Sequence, residues 1–482
     1  MAQAPVTLGL DVGTSGLKAV AMTADGHIAF ETTQPYPMHT PQPGWTEQDP
    51  RDWWHAAVAA CQDATAALGQ DAITGIGLSG QMHGLVPVAA SGEPTAHAIL
   101  WNDQRTGPQA AALAAAVPEA EWIRRTGNPP ITGFQLTKWA WLRDHAPDAY
   151  HAATTLLFPK DWIGFKLTGA RYAEPTDGSG SNVLDIHTGD WAYDLIERSE
   201  LRSDVFPGLV PSTAVVGEVT PEAAAASGLP AGIPVIAGAG DNAAAAHALG
   251  LRSGGPGGSL SLGTSGVLLA PAASAEPDPQ GRVHLFAMAT GGFAYLGVTQ
   301  SAAGSLAWAE TALAGSGSTG ERVDRAFARP IGAGGAVFTP YLAGERSPYL
   351  DDSLRGAFHG LSLATTPDDL LRAVLEGVAF SLRDVASIMP DGGPDRLWLT
   401  GGGSRSDAWA QWMADVLNVT LERPERTPGP AHGAAVLAWE TQGTHVPAAQ
   451  AGRQWAPNPA VKADIDVAYT RFREHAPPLA RS

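Results

Sequence analysis

One short pattern occurs twice in this chain, far apart, and it limits the fold more than any other feature. Gly13-Thr14-Ser15-Gly16 stands between the alternating run Val6, Leu8, Leu10, Val12 and the apolar run Leu17 to Met22. Gly263-Thr264-Ser265-Gly266 stands between Leu260-Ser261-Leu262 and Val267-Leu268-Leu269. Apolar residues at every second position are the signature of a half-buried strand, so each copy predicts a strand, a tight turn and a second strand. In a chain with 56 glycines a four-residue match means little by itself. The shared setting gives it weight, and it predicts two related domains that face one another. A chain of 482 residues is also too long for one ordinary core.

A second pairing extends the scheme. Pro234 to Asp241 reads as an apolar strand, a Gly turn and the start of an Ala-rich helix, and Leu397 to Ser404 reads the same way. Each half is then expected to begin with a hairpin and end with strand, Gly turn and helix. The boundary falls in the Gly/Pro-rich stretch 250–258, giving domains 1–248 and 255–440 and a peripheral tail 441–482. Two helices are well marked. Asp49-Pro50 starts one that runs to about Leu68. Thr366-Pro367-Asp368-Asp369 starts another, with Leu371, Val374, Leu375, Val378, Leu382 and Val385 on one face.

Composition removes several functions. A net charge of -18 argues against nonspecific binding to nucleic acid or to an anionic membrane surface. No run approaches the roughly 20 apolar residues that span a bilayer, and the expected location is the cytoplasm. Cys61 is the only cysteine, so an intramolecular disulfide and a thiolate zinc site are both out. There is no Walker A sequence, no Gly-x-Ser-x-Gly elbow and no His/Asp/Glu grouping with metal-ligand spacing.

What remains suits phosphoryl transfer, which needs donors around phosphates, a metal ion and a base near the attacking hydroxyl. Paired Gly-Thr-Ser-Gly turns offer backbone N–H groups and the hydroxyls of Thr14, Ser15, Thr264 and Ser265. The copies differ where Asp11 aligns with Ser261, and one carboxylate on one side of a nucleotide fits a single Mg²⁺ site. In the second pairing Asp241 aligns with Ser404. Asp241 fits a base that takes a proton from a sugar hydroxyl, and locally it fits a helix N-cap equally well. Gly401-Gly402-Gly403-Ser404 has no acid or base and suits close packing against an adenine ring. Gln81-Met82-His83-Gly84 and Trp101-Asn102-Asp103-Gln104-Arg105 follow strand-like segments; Gln81, His83, Asp103 and Arg105 offer groups suited to hydroxyl recognition.

In this order the segments resemble the FGGY family of carbohydrate kinases, above all its xylulose-phosphorylating branch. The resemblance runs from about Leu8 to Leu437 and includes Trp45-Thr46-Glu47-Gln48-Asp49-Pro50, Gly240-Asp241-Asn242 and Gly344-Glu345-Arg346-Ser347-Pro348. Gln81-Met82-His83-Gly84 is its specific feature. It implies two actin-like (ribonuclease H-like) ATPase domains across a cleft, and ATP-dependent conversion of D-xylulose to D-xylulose 5-phosphate. It further implies Asp241 as proton acceptor, Asp11 near Mg²⁺ and phosphates, and Met82, His83 and Asn242 at the sugar, with Gln81, Trp101, Asp103 and Arg105 close by. ATP is expected at Gly13, Thr14, Ser15, Gly263, Thr264, Gly402 and Gly403. The expected partners are a ketose and ATP, with a homodimer allowed. The alternatives are FGGY kinases acting on ribulose, gluconate, glycerol or fuculose, and an actin- or Hsp70-like conformational ATPase. The stretch 176–182 departs from the family pattern, which leaves the preferred sugar open.

Overall fold

The computed structural model describes residues 4–313, 315–390 and 393–480, so the outermost residues of the first expected domain and of the tail lie outside it. Two sheets organise the chain. The first runs in the spatial order Ile28–Pro35, Gly16–Thr23, Val6–Val12, Ile73–Gly80, Pro234–Gly240, Val215–Glu218. Val6–Val12 is buried along its whole length. Its Val and Leu side chains join one core with Trp53, Ala57 and Ala60 of the helix Pro50–Leu68. Thr7, Gly9 and Asp11 point to the opposite face, as a period of two requires. There the helix Pro430–Thr441 crosses, and the Thr7 hydroxyl donates to the Ala435 carbonyl at 2.8 Å. The expected helix start at Asp49-Pro50 is as drawn, the Asp49 carboxylate accepting the Arg51 amide at 3.0 Å.

The second sheet repeats the plan in the order His284–Ala287, Phe293–Thr299, Gly266–Ala272, Gly258–Leu262, Arg396–Thr400, Thr420–Pro424, Ala451–Trp455. The two hairpins occupy equivalent places, in line with the repeated turn. The second expected pairing does not hold. Arg396–Thr400 lies directly beside Gly258–Leu262, the place that Ile73–Gly80 takes in the first sheet. The place of Pro234–Gly240 is taken by Thr420–Pro424. Gly401 to Ser404 is therefore the counterpart of Gln81 to Gly84, and Asp241 and Ser404 are not equivalent. The misleading likeness is local: any parallel strand followed by a turn and a helix shares that texture.

The expected tail is also revised. Residues 441–482 are no peripheral tail: Ala451–Trp455 is an edge strand, and the helix Lys462–Arg473 buries Ile465, Ala468 and Phe472 in the second core. Arg473 pairs with the buried Asp384 at 2.7 Å. The helix Pro430–Thr441, at the end of the second domain in sequence, packs on the first sheet, so close that a β-carbon on Gly77 would sit 1.9 Å from the Ala434 carbonyl oxygen. Among the described residues no helix is long and apolar enough to cross a membrane.

Candidate active site

Register alone brings the chemistry together. Val12 is level with Gly80, and Gly80 with Gly240, so three parallel strands end side by side. The Gly13 turn, the Gln81 turn and Asp241 leave the sheet at this one edge, where open α/β sheets bind ligands.

The first turn is fixed from outside. Gln48 Nε2 donates to the Thr14 carbonyl at 2.8 Å, Trp101 Nε1 to the Thr14 hydroxyl at 3.1 Å, and Gln81 Nε2 to Gln48 Oε1 at 3.0 Å. The Gly13 N–H is spent inside the turn on the Asp11 and Gly16 carbonyls, at 3.1 and 3.2 Å. Among the described residues the Thr14 and Ser15 amides have no hydrogen bond and are the open donors. The second turn repeats this: Gly263 N–H donates to Ser265 O at 3.0 Å, while the amides of Thr264 and Ser265 stay open. Beyond it Gly402 borders open space, and Gly403 is packed against Leu262 and Trp409.

Asp241 is the first residue of the helix Asp241–Ala248, and the N-cap position is Gly240. The N-cap reading of Asp241 therefore falls away. Its Oδ1 accepts the Asn242 amide at 2.7 Å and Asn242 Nδ2 at 2.9 Å. Burial raises the Asp241 carboxyl from 3.8 to about 6, against the pull of those two bonds. Asp11 is buried with Oδ1 unpartnered, and burial together with the charge of Asp241 raises it to about 7. Two neighbouring acids that are hard to ionise together fit a site completed by a cation.

Met82 packs on Gly240, where a β-carbon would lie 2.7 Å from Met82 Cγ. His83 follows with a left-handed backbone, φ 68°. Its Nδ1 meets the Gly180 carbonyl at 2.9 Å, and burial holds the ring neutral, at about 3. A carbonyl can only accept, so Nδ1 carries the proton and Nε2 is left as an acceptor. Asp103 and Arg105, like Gln81 and Trp101, spend their polar groups inside the protein. Arg105 is clamped by Asp103 at 2.8 Å and Glu47 at 3.0 Å and stacks on Trp45 at 3.9 Å. Asp103 also accepts the Thr46 amide at 2.6 Å. Both groups are consumed in bracing the loop that carries Trp101.

Sequence reading passed over the supports behind this edge. Lys138, fully buried, donates to the carbonyls of His83 and Gly133, both at 2.7 Å, and burial holds its pKa well below the usual lysine range. The one available signal was a lysine flanked by Leu136, Trp139 and Ala140 in the run Leu136-Thr137-Lys138-Trp139-Ala140. Lys160 lies within 3.2 Å of Glu174 and Asp177. Glu174 in turn accepts the Thr176 hydroxyl at 2.6 Å, and Thr176 Oγ1 accepts the Gly240 amide at 2.8 Å. The departing stretch 176–182 thus holds the strand end and His83 from behind.

Comparison with known proteins agrees with this geometry. The N-terminal domain of the FGGY family of carbohydrate kinases matches residues 6–248, and its C-terminal domain matches residues 258–439. A xylulose kinase of Bacillus subtilis is 36% identical over 89% of this chain and 87% of its own length. A xylulose kinase of Escherichia coli is 35% identical over 89% of each. The crystal structure of xylulose kinase from Rhodospirillum rubrum superposes with a TM-score of 0.89 at 30% identity, covering 97% of both chains. The chain belongs to the FGGY family of carbohydrate kinases, with the two-domain actin-like fold of that family.

Proposed function

We propose that this sugar kinase transfers the γ-phosphoryl group of ATP to the O5 hydroxyl of D-xylulose, giving D-xylulose 5-phosphate and ADP. The observation that carries the reading is Asp241: a carboxyl lifted to about 6, at the strand edge that also carries Met82 and His83 and the open amides of Thr14 and Ser15. The xylulose kinases of similar sequence supply the choice of sugar. A base with a pKa just below neutrality is ionised at working pH yet strong enough to accept a proton in the transition state.

In the reaction Asp241 takes the hydroxyl proton as O5 bonds to the γ-phosphorus. The bond from that phosphorus to the β–γ bridging oxygen breaks, and its electron pair leaves on ADP. Asn242 fixes the base through Oδ1, so the other carboxylate oxygen faces the sugar. Met82 and the neutral His83 line the ketose, and Lys138 sets their turn. The open amides of Thr14, Ser15, Thr264 and Ser265 receive phosphate oxygens, and Gly402 leaves room for the adenosine. Asp11, with its unpartnered Oδ1, would hold the Mg²⁺ of the family, an ion that neutralises phosphate charge when bound.

Asp241→Asn should lower ADP release with ATP, Mg²⁺ and D-xylulose by about 10²–10⁴-fold. A coupled assay checks this, and a near-wild-type rate would remove Asp241 as the base. Run over pentuloses, hexuloses and polyols, the same assay should rank D-xylulose among the best acceptors.

A further inference from the structure

The sugar pocket has a second wall, contributed by the second half of the chain. His83 and Phe134 of the first half meet His284 and Phe286 of the second in a box of four rings. Their centroids lie 4.9 Å apart for His83–Phe134, 5.5 Å for His83–Phe286, 5.7 Å for Phe134–His284 and 5.2 Å for His284–Phe286. Two polar groups at this box lack partners. His284 Nδ1 meets Asn128 Oδ1 at 2.7 Å, while its Nε2 is buried without a hydrogen bond. Arg346 has its backbone fixed: the Arg346 N–H donates to Glu345 Oε1 at 2.9 Å, and the next amide, Ser347, donates to the Val298 carbonyl at 2.8 Å. Its guanidinium makes no ion pair and no hydrogen bond among the described residues. Glu345 Oε1 also takes the Gln300 amide at 2.7 Å, and Glu345 and Asp352 act on the guanidinium through their charge, without a hydrogen bond to it.

We propose that Arg346 is a specificity-determining residue whose guanidinium binds the carbonyl end of the ketose, the end remote from Asp241. The inference rests on the assignment of the Met82–His83 pocket to the sugar. Position comes first. Arg346 Nη2 lies 3.5 Å from where Gly133 would carry a β-carbon, and Gly133 shares Lys138 with His83. The charge of Arg346 is felt by His83, Lys138 and His284, and is not among those acting on Asp241. Chemistry follows. A guanidinium has five N–H donors and no acceptor, and withdrawing it from water without acceptors is costly. A ketone oxygen only accepts, so it answers that need better than a hydroxyl, which must also place a proton. Because Arg346 comes from the second half of the chain, it reads the sugar across the cleft and couples sugar identity to the approach of the two halves.

Arg346→Met and Arg346→Lys test this on the full-length enzyme with two acceptors, D-xylulose and xylitol, which differ by reduction of the carbonyl. For Arg346→Met the KM for D-xylulose should rise by about 10–100-fold, as expected for loss of a charge-assisted hydrogen bond. Its KM for ATP and for xylitol should change by less than about three-fold, so that the preference for ketose over polyol collapses. Arg346→Lys keeps a charged donor and should recover part of that preference. Equal losses on both acceptors, or an unchanged KM for D-xylulose, would overturn the proposal. Wild-type protein inert toward D-xylulose would instead overturn the proposed function, and this assignment with it.

Discussion

At the scale of single residues, the site is defined by acids that the fold makes reluctant to ionise. Asp11 and Asp241 are raised from 3.8 to about 7 and about 6, chiefly by burial. Because they interact, their titrations belong to the pair. The sign of the stability effect follows. Between the unfolded value near 4 and the folded values the native state binds more protons than the unfolded chain. The contribution of this pair to the stability of the metal-free enzyme should therefore fall as pH rises through this window and level off above about pH 7. Urea titrations of the wild type and Asp11→Asn from pH 5 to pH 8 isolate it from the buried His83 and His284, which act with the opposite sign, and the variant should lose the falling component that Asp11 supplies. A slope as steep in Asp11→Asn as in the wild type would mean that Asp11 is not the group responsible. Turnover has the opposite sense: the base must be ionised, so the rate should climb with pH through about 6 to 7.

Elements differ in how much of their role can be read from the chain. The hairpins and the helix Pro50–Leu68 were legible because period-two burial and an Asp-Pro cap act locally. The placement of Asp11, Met82, His83 and Asp241 at one strand edge was legible because each sits in or just beyond a short strand with a distinctive turn. The equivalence of Asp241 with Ser404 misled because strand order is set by contacts distant in sequence, and nothing in Leu397 to Ser404 records its neighbour. Asp103 and Arg105 show another limit: a polar run next to a turn reads the same whether it forms an internal ion pair, as here, or a binding surface. Lys138 shows how an element serves the site without touching it. Its helix, Gln135–His145, delivers one amine nitrogen to two buried carbonyls that shape the turn carrying His83. Lys138→Met keeps the length of the side chain and leaves both carbonyls without a donor. Stability should drop by about 1–3 kcal/mol, read from urea unfolding. KM for the sugar should rise while KM for ATP stays constant. An unchanged sugar KM would confine Lys138 to a purely structural part.

For the whole molecule, the decisive feature is that the two halves share a helix pair. Pro430–Thr441 belongs by sequence to the second half, yet it covers the first sheet and crosses Asp241–Ala248, the helix that begins with Asp241. Gly433 lies at the crossing, where a β-carbon would be 1.9 Å from the Ala244 carbonyl oxygen. The contact is reinforced by His247 on Glu440 at 2.8 Å and by Trp439 Nε1 donating to the Met22 carbonyl at 2.9 Å. If the enzyme closes on its sugar, such a junction would deliver motion of either half beside Asp241. It also ties the halves together thermodynamically: the first sheet cannot bury its Thr7–Gly9–Asp11 face until the far end of the chain has arrived. Gly433→Ala should force the helices apart and cost about 1–3 kcal/mol, as overpacking of a tight contact does. Differential scanning calorimetry should show the wild-type enzyme melting in one transition, and the substitution should move that whole transition down. Two resolved transitions, only one of them shifted by Gly433→Ala, would show that the halves are stable independently and that the shared helix pair does not couple them.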